Sequence, residues 1–226
     1  MNGLSIKMSE AIWVCHALFN RGLVTGSTGN LSFTHDNKIY ITKSGGCFGR
    51  VDESSFAILD LNGKIIEGKP SKEFPIHLAL YNNNRNINAV LHTHSFYSTL
   101  VASLNELEIR ELISITPYLN MLTSGNIGVV EYAKPGSDLL FEEFNKTLNS
   151  STTVYFMKNH GVTVGANDLY GAFNILEEVE VSSKIHIKTN SYNKEDYNRI
   201  KYWLFKKQII QYLNKQHKRR STYYFM

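Results

Sequence analysis

Two histidines and a carboxylate are the residues in this chain best placed to do chemistry. In the apolar run Ala89-Val90-Leu91-His92-Thr93-His94 the two imidazoles stand two positions apart. On a strand that spacing sends both side chains to one face, toward a single point, as a metal ion requires. Neutral imidazole is the commonest protein ligand for zinc and its neighbours. A catalytic zinc takes three protein ligands and keeps one position open. The best third donor is His160, in Lys158-Asn159-His160-Gly161 at the end of the apolar run Val154-Tyr155-Phe156-Met157. The bland alternatives are packed core histidines or a solvated strand edge, since short motifs match by chance. Upstream, Pro70-Ser71-Lys72-Glu73-Phe74-Pro75-Ile76-His77 opens a helix. Alone, Glu73 reads as a partner of the helix dipole. His77 lies one turn further on the same face, where it either orients Glu73 or packs.

The elements that position these residues follow from pattern. Ser9–Phe19 reads as a helix capped by Ser9 and ended by Gly22, with His16 structural. The loop Val24-Thr25-Gly26-Ser27-Thr28-Gly29-Asn30-Leu31-Ser32 is rich in hydroxyls and backbone donors, the composition that cradles phosphate; the alternative is a plain turn. It is not a Walker loop, because no Gly-Lys-Ser/Thr follows. Hairpins are expected at 31–42 and 56–66, with a second glycine-rich loop, Thr42–Arg50, between them. The helix from Glu73 has Pro75 in its first turn. Beyond the histidine strand we expect a helix over 95–104, strands at 112–115, 126–131 and 152–157, a turn at Pro135-Gly136-Ser137-Asp138 that caps a helix through Leu148, a long helix over 169–188 and a last amphipathic helix from 194 to about 217. Strands grouped among helices predict an α/β fold: one three-layer αβα domain over 1–226 with a mainly antiparallel central sheet and a basic helical tail.

The totals agree. The chain has 226 residues, 42 % hydrophobic and 12 % aromatic, enough for a sizeable core. No run of 18 apolar residues suggests a membrane span, and the first residues lack a signal-peptide core. Two cysteines, Cys15 and Cys47, make no disulfide framework, so a cytoplasmic setting is the default. The net charge of +4 owes much to Lys215-Gln216-His217-Lys218-Arg219-Arg220, read as a solvated helix end rather than a nucleic-acid site.

Taken together, Gly-Ser-Thr-Gly-Asn-Leu-Ser at 26–32, Ser-Lys-Glu at 71–73, His-Thr-His at 92–94 and Asn-His-Gly at 159–161 resemble the class II aldolase/adducin family over about residues 8 to 190. The resemblance implies one Zn2+ or other divalent ion per subunit, held by His92, His94 and His160. It implies that Glu73 is both a resting ligand and the proton-transfer residue. It implies phosphate binding around Asn30, Ser44, Gly45 and Ser71, and a homotetramer with sites at subunit boundaries. Within the family the chain looks most like the 3-oxo-tetronate 4-phosphate decarboxylases, through Ser44–Asp52, Pro70–Glu73, Ile115–Tyr118 and Tyr132–Asp138. Lys43 and Asn120 depart from that pattern. Fuculose-phosphate aldolases usually carry a second serine where Lys72 stands.

Such a decarboxylase would release CO2 from a 3-oxo acid and leave dihydroxyacetone phosphate, with the divalent ion stabilising the enediolate between. An aldolase of the fuculose-phosphate type uses the same enediolate against an aldehyde and is the alternative reading. Lys72 is a natural partner for a substrate carboxylate or phosphate; the alternatives are a solvated lysine or a Schiff-base lysine. Tyr118 is a candidate second acid reaching a neighbouring subunit, or simply a packing residue. Neither a nucleic-acid nor a membrane partner is expected.

Overall fold

The computed structural model describes residues 3–190. The chain divides into two compact units, Met1–Lys184 and Ile185–Met226. The first holds an eight-stranded sheet; the basic helical tail expected from about 194 lies outside the described residues.

The sheet is built from β1 (Asn30–His35), β2 (Lys38–Thr42), β3 (Phe56–Asp60), β4 (Ile65–Glu67), β5 (Ala89–Thr93), β6 (Gly128–Val130), β7 (Val154–Met157) and β8 (Gly161–Ala166). Their order is β4-β3-β2-β1-β5-β8-β7-β6. Every pairing is antiparallel except β6 with β7. The β1–β2 hairpin turns on Asp36 and Asn37, both at positive φ (46° and 58°), as a two-residue I′-type turn requires.

Helices cover both faces, giving the expected three-layer α/β architecture. On one side α2 (Phe74–Asn83) and α6 (Asp138–Thr147) close over Ile39, Ile41, Leu59, Val90, Tyr155 and Met157. On the other, α1 (Gly3–Asn20) packs against β1, and α3 (Phe96–Ala102) against β7 and β8. The pleat of β1 sorts its residues between these layers. Phe33 stacks on Tyr40 at 5.1 Å on the α1 side, while Ser32 bonds side chains of α2. The remaining helices are α4 (Glu106–Glu111), α5 (Pro117–Thr123) and α7 (Leu169–Asn190).

Two expectations need correction, and two elements were unforeseen. α1 starts at Gly3, so Ser9 is not its cap; the Ser9 hydroxyl donates to the Ser5 carbonyl inside the helix instead. The apolar run 112–115 is a 3-10 turn, Leu112–Ser114, continuing α4, whose start is fixed by a reciprocal Asn105/Glu108 capping box. Thr116-Pro117 then opens α5, with the Thr116 hydroxyl accepting from the Leu119 N–H. β8 was not expected at all, although its six residues are all buried between β5 and β7. His16, by contrast, is structural as expected, its Nε2 2.9 Å from the Val51 carbonyl.

Candidate metal centre and substrate cleft

Sheet register brings the first two donors together. Asn30 on β1, His92 on β5 and Thr163 on β8 are direct cross-strand partners, so they form one row on the face covered by α2. His94 stands one residue past the end of β5, yet its ring still converges with that of His92. His160 arrives from the opposite side of the sheet edge, in the tight turn between β7 and β8. Asn159 makes that turn possible by adopting the left-handed conformation (φ 53°), as an asparagine can.

The three rings form a near-equilateral triangle, with centroids 4.9, 4.9 and 4.8 Å apart. One ligand nitrogen from each lies within 4.8 Å of the others. His92 Nδ1 donates toward the Val162 carbonyl at 3.1 Å, which leaves the Nε2 lone pair facing the cluster. That Nε2 is 2.9 Å from His94 Nε2. Glu73 caps the triangle: its two carboxylate oxygens are each 3.3 Å from a ring nitrogen, Oε2 from His92 Nε2 and Oε1 from His160 Nε2. Neither ring nitrogen of His160 makes a hydrogen bond among the described residues, although both are buried.

This donor set fits a divalent cation. Burial, and the neighbouring His94, pull His92 down to about 3. Burial and His92 pull His160 down to about 4, against an opposing pull from Glu73. Burial also lowers His94. All three are therefore neutral near pH 7, the state in which imidazole ligates a metal. A buried ring with no hydrogen-bond partner is costly on its own, and an ion would relieve the nitrogen that faces the cluster. Three imidazoles and a carboxylate match zinc and similar metals, whose identity the nitrogen-rich set does not single out.

Beside the histidines opens a cleft of about 380 Å³. Its walls include Ser27–Asn30, Lys43–Gly45, Ser71–Glu73, His94 and Pro135-Gly136. The two glycine-rich loops thus meet at one cavity. Gly29 has to be glycine on two counts: φ is +78°, and a Cβ would stand 2.9 Å from the His92 carbonyl oxygen. Ser71 Oγ accepts from the Glu73 N–H at 3.3 Å, leaving its own O–H free to donate. Ser44 and Gly45 are exposed in the cleft wall, Gly45 at φ +79°. Asn30 is placed differently from Ser44 and Ser71. It is buried, with its side-chain amide directed at Glu73 and His77.

Of the two lysines in the wall, Lys43 donates to the Ser54 carbonyl at 2.6 Å. Lys72 is exposed and has no carboxylate partner among the described residues; its stem runs beside Gly136, where a Cβ would stand 3.5 Å from that of Lys72. Tyr118 is not part of this cleft in one chain. It sits near the start of α5, 65 % exposed.

The sequence reading missed two groups. Glu180 on α7 accepts from the N–H groups of Tyr97 and Ser98 and from the Ser98 hydroxyl, at 2.9, 2.8 and 2.6 Å, holding the start of α3 just after His94. Ser32 and Tyr81 line up with His77 beneath Glu73. The available signal was Asn30 and Ser32 alternating on β1 opposite His77 and Tyr81, which are one turn apart on α2.

Fold and site point to one class of protein, and comparison bears this out: the chain belongs to the class II aldolase and adducin N-terminal domain family, which it matches over residues 9–187. That membership implies a lyase, and class II aldolases as a group are metal-dependent. An L-fuculose phosphate aldolase of Methanocaldococcus jannaschii is 37 % identical over 176 residues, covering 78 % of this chain and 93 % of its own. A 3-oxo-tetronate 4-phosphate decarboxylase of Haemophilus influenzae is 36 % identical over 173 residues, covering 75 % of this chain and 81 % of its own. Among solved structures, YgbL of Escherichia coli, named as a candidate aldolase/epimerase/decarboxylase, matches with a TM-score of 0.76 and 30 % identity over 86 % of this chain and 97 % of its own.

Proposed function

We propose that the chain decarboxylates a 3-oxo-tetronate 4-phosphate to dihydroxyacetone phosphate and CO2, as a cytoplasmic enzyme of four-carbon sugar acid catabolism. The observation that carries this reading is Lys72: a cation without an ionic partner among the described residues, in the wall of a cleft that also holds Glu73, His94 and the two glycine-rich loops. A phosphate occupies one anionic subsite of such a cleft. A second, separate cation suits a substrate with a second anionic group, which a sugar acid has and a neutral aldehyde lacks.

His92, His94, His160 and Glu73 would hold a divalent ion, zinc in our reading, which would supply Lewis-acid stabilisation of developing negative charge. The loops at Ser44–Gly45 and the Ser71 hydroxyl bind the phosphate, with Asn30 shaping the floor. Lys72 holds the departing carboxylate in place by charge. Glu73 then relays to carbon the one proton that the decarboxylation takes up from solvent. Tyr118 serves as a second acid from a neighbouring subunit. This last role requires an oligomer, and we propose a homotetramer. Phe96, Leu107, Tyr118 and Met121 on α3–α5 are 69, 76, 65 and 73 % exposed and supply apolar surface for its contacts.

The second reading, a sugar-phosphate aldolase of the fuculose type, draws on the same centre and on the M. jannaschii relative. Purified protein loaded with Zn2+ is offered 3-oxo-tetronate 4-phosphate while CO2 and dihydroxyacetone phosphate are followed together, with His92→Ala as control. Equal release of both, absent in the control, supports the decarboxylase. Consumption of dihydroxyacetone phosphate only when an aldehyde is added favours the aldolase instead.

A further inference from the structure

Running inward from Glu73 and Asn30 at the cleft wall, five side chains from β1 and from the start of α2 onward form an unbranched hydrogen-bonded line. Asn30 Nδ2 is 3.4 Å from Glu73 Oε2. Asn30 Oδ1 meets His77 Nε2. His77 Nδ1 is 2.7 Å from Ser32 Oγ, which is 2.6 Å from the Tyr81 phenol oxygen. All five residues are buried.

The chemistry of the groups leaves one arrangement of protons. A carboxylate only accepts, so Asn30 turns its NH2 to Glu73 and its carbonyl oxygen to His77. That oxygen also only accepts, so the His77 proton sits on Nε2. The bare Nδ1 then takes the hydrogen of the Ser32 hydroxyl, and Ser32 accepts from the Tyr81 O–H. Tyr81 has no second bonded neighbour along this line, so the order begins there. Every donor therefore points the same way, toward Glu73.

We propose that His77, as its Nε2–H tautomer, is a positioning residue for Glu73, acting through Asn30. The line Tyr81–Ser32–His77–Asn30 fixes which end of the Asn30 amide faces the carboxylate and so holds Glu73 in one orientation between the histidines and the cleft. Without the His77 donor, Asn30 Oδ1 is a buried acceptor with no partner. The amide is then free to turn and set its oxygen against the carboxylate, acceptor against acceptor. This inference rests on Glu73 being the proton-transfer group and metal ligand.

The test uses full-length protein with His77→Leu, which keeps bulk but removes both ring nitrogens, and His77→Gln, whose amide N–H reaches the position of Nε2–H. Thermal melts establish that each variant is folded. On whichever substrate the wild type turns over, His77→Leu should lose roughly 10–100-fold in kcat with KM little changed, and its Co2+ affinity in chelator competition should fall about tenfold. His77→Gln should recover most of both. A purely packing role predicts no kcat-against-KM split and no difference between the two variants, and either result overturns the proposal. Ring 15N shifts of His77 in metal-free protein give an independent answer: a proton on Nδ1 reverses the line and also overturns it. If the wild type turns over neither substrate, the functional reading fails, while cobalt affinity and tautomer still decide the role of His77.

Discussion

Gly161 runs directly against the end of β5: a Cβ at this position would stand 2.3 Å from the Thr93 carbonyl oxygen and 3.0 Å from His94 Cδ2. The glycine that follows His160 is thus what lets β8 come close enough for His160 to meet His92 and His94. Gly161→Ala forces the two strands apart at the centre. Overpacking of this kind costs about 1–3 kcal/mol, or a fall in Tm of about 5 °C for a domain of this size. Metal affinity should fall with it, by at least about tenfold. A thermal melt and a chelator competition read the two effects separately.

Removing a ligand should abolish activity and leave the fold intact. His160→Ala deletes a buried ring that makes no hydrogen bond among the described residues, so its loss leaves few bonds broken. Lewis-acid stabilisation is worth several kcal/mol, and each 1.36 kcal/mol is tenfold in rate. Turnover should therefore drop by about a thousandfold while the metal-free melting temperature changes little. Stripping the wild type with a chelator should match that loss, and added Zn2+ or Co2+ should restore it.

Metal-free protein should be acid-labile. His77 and His92 are lowered to about 3 and His160 to about 4, chiefly by burial, and His94 is lowered as well. Unfolded, each titrates near 6.5 and takes up protons that the folded chain refuses. Stability is thus fully present above about pH 6.5 and is lost as pH falls toward 4 and 3, at about 1.4 kcal/mol per pH unit for each group. Urea midpoints at pH 7.5, 6 and 5 should decline steeply below 6.5. A flat series would contradict the burial of neutral imidazoles.

Lys72 separates the two candidate reactions. Lys72→Met keeps the stem that lies along Gly136 and deletes the charge. Decarboxylation should lose about tenfold or more in kcat/KM, the scale of one charge-assisted contact of about 1.5–3 kcal/mol. Any aldol reaction on a neutral aldehyde should change far less. Equal losses in both assays would place Lys72 on the phosphate instead.

Glu180→Gln tests the support behind His94. The carboxylate accepts three hydrogen bonds from Tyr97 and Ser98. An amide keeps one accepting oxygen but turns an NH2 toward a donor. Destabilisation of about 1–3 kcal/mol is expected, with a smaller loss of metal affinity as the start of α3 loosens. Differential melting with and without Co2+ measures both.

The convergence of His92, His94 and His160 was legible because its signals are local: a two-residue spacing at a strand end, and a short motif closing an apolar run. Both hairpins and α6 were legible too, since their turn and cap residues are diagnostic. Other features were not, for physical reasons. Leu112-Ile113-Ser114-Ile115 has a strand-like composition, but the Asn105/Glu108 capping box upstream commits the chain to helical turns. Gly161–Ala166 is bounded by glycine and small residues, and only its burial between β5 and β7 makes it a strand. The bond between Asn30 and His77 joins residues 47 apart in sequence, and no short window contains both.

The pleat of β5 has a consequence for how the molecule reaches its structure. All five of its residues are buried, and Ala89, Val90 and Leu91 offer similar apolar bulk to both faces. Hydrophobicity alone therefore discriminates poorly between the correct pairing and one slipped by a single residue, which would carry Leu91 to the α2 side and turn His92 toward α1. What separates the two is polar: only the correct pairing gives His92 the Val162 carbonyl and brings it within reach of Glu73 and His160. The centre thus works as a proofreader of strand alignment, and bound metal would deepen the penalty for misassembly as well as supply the chemistry.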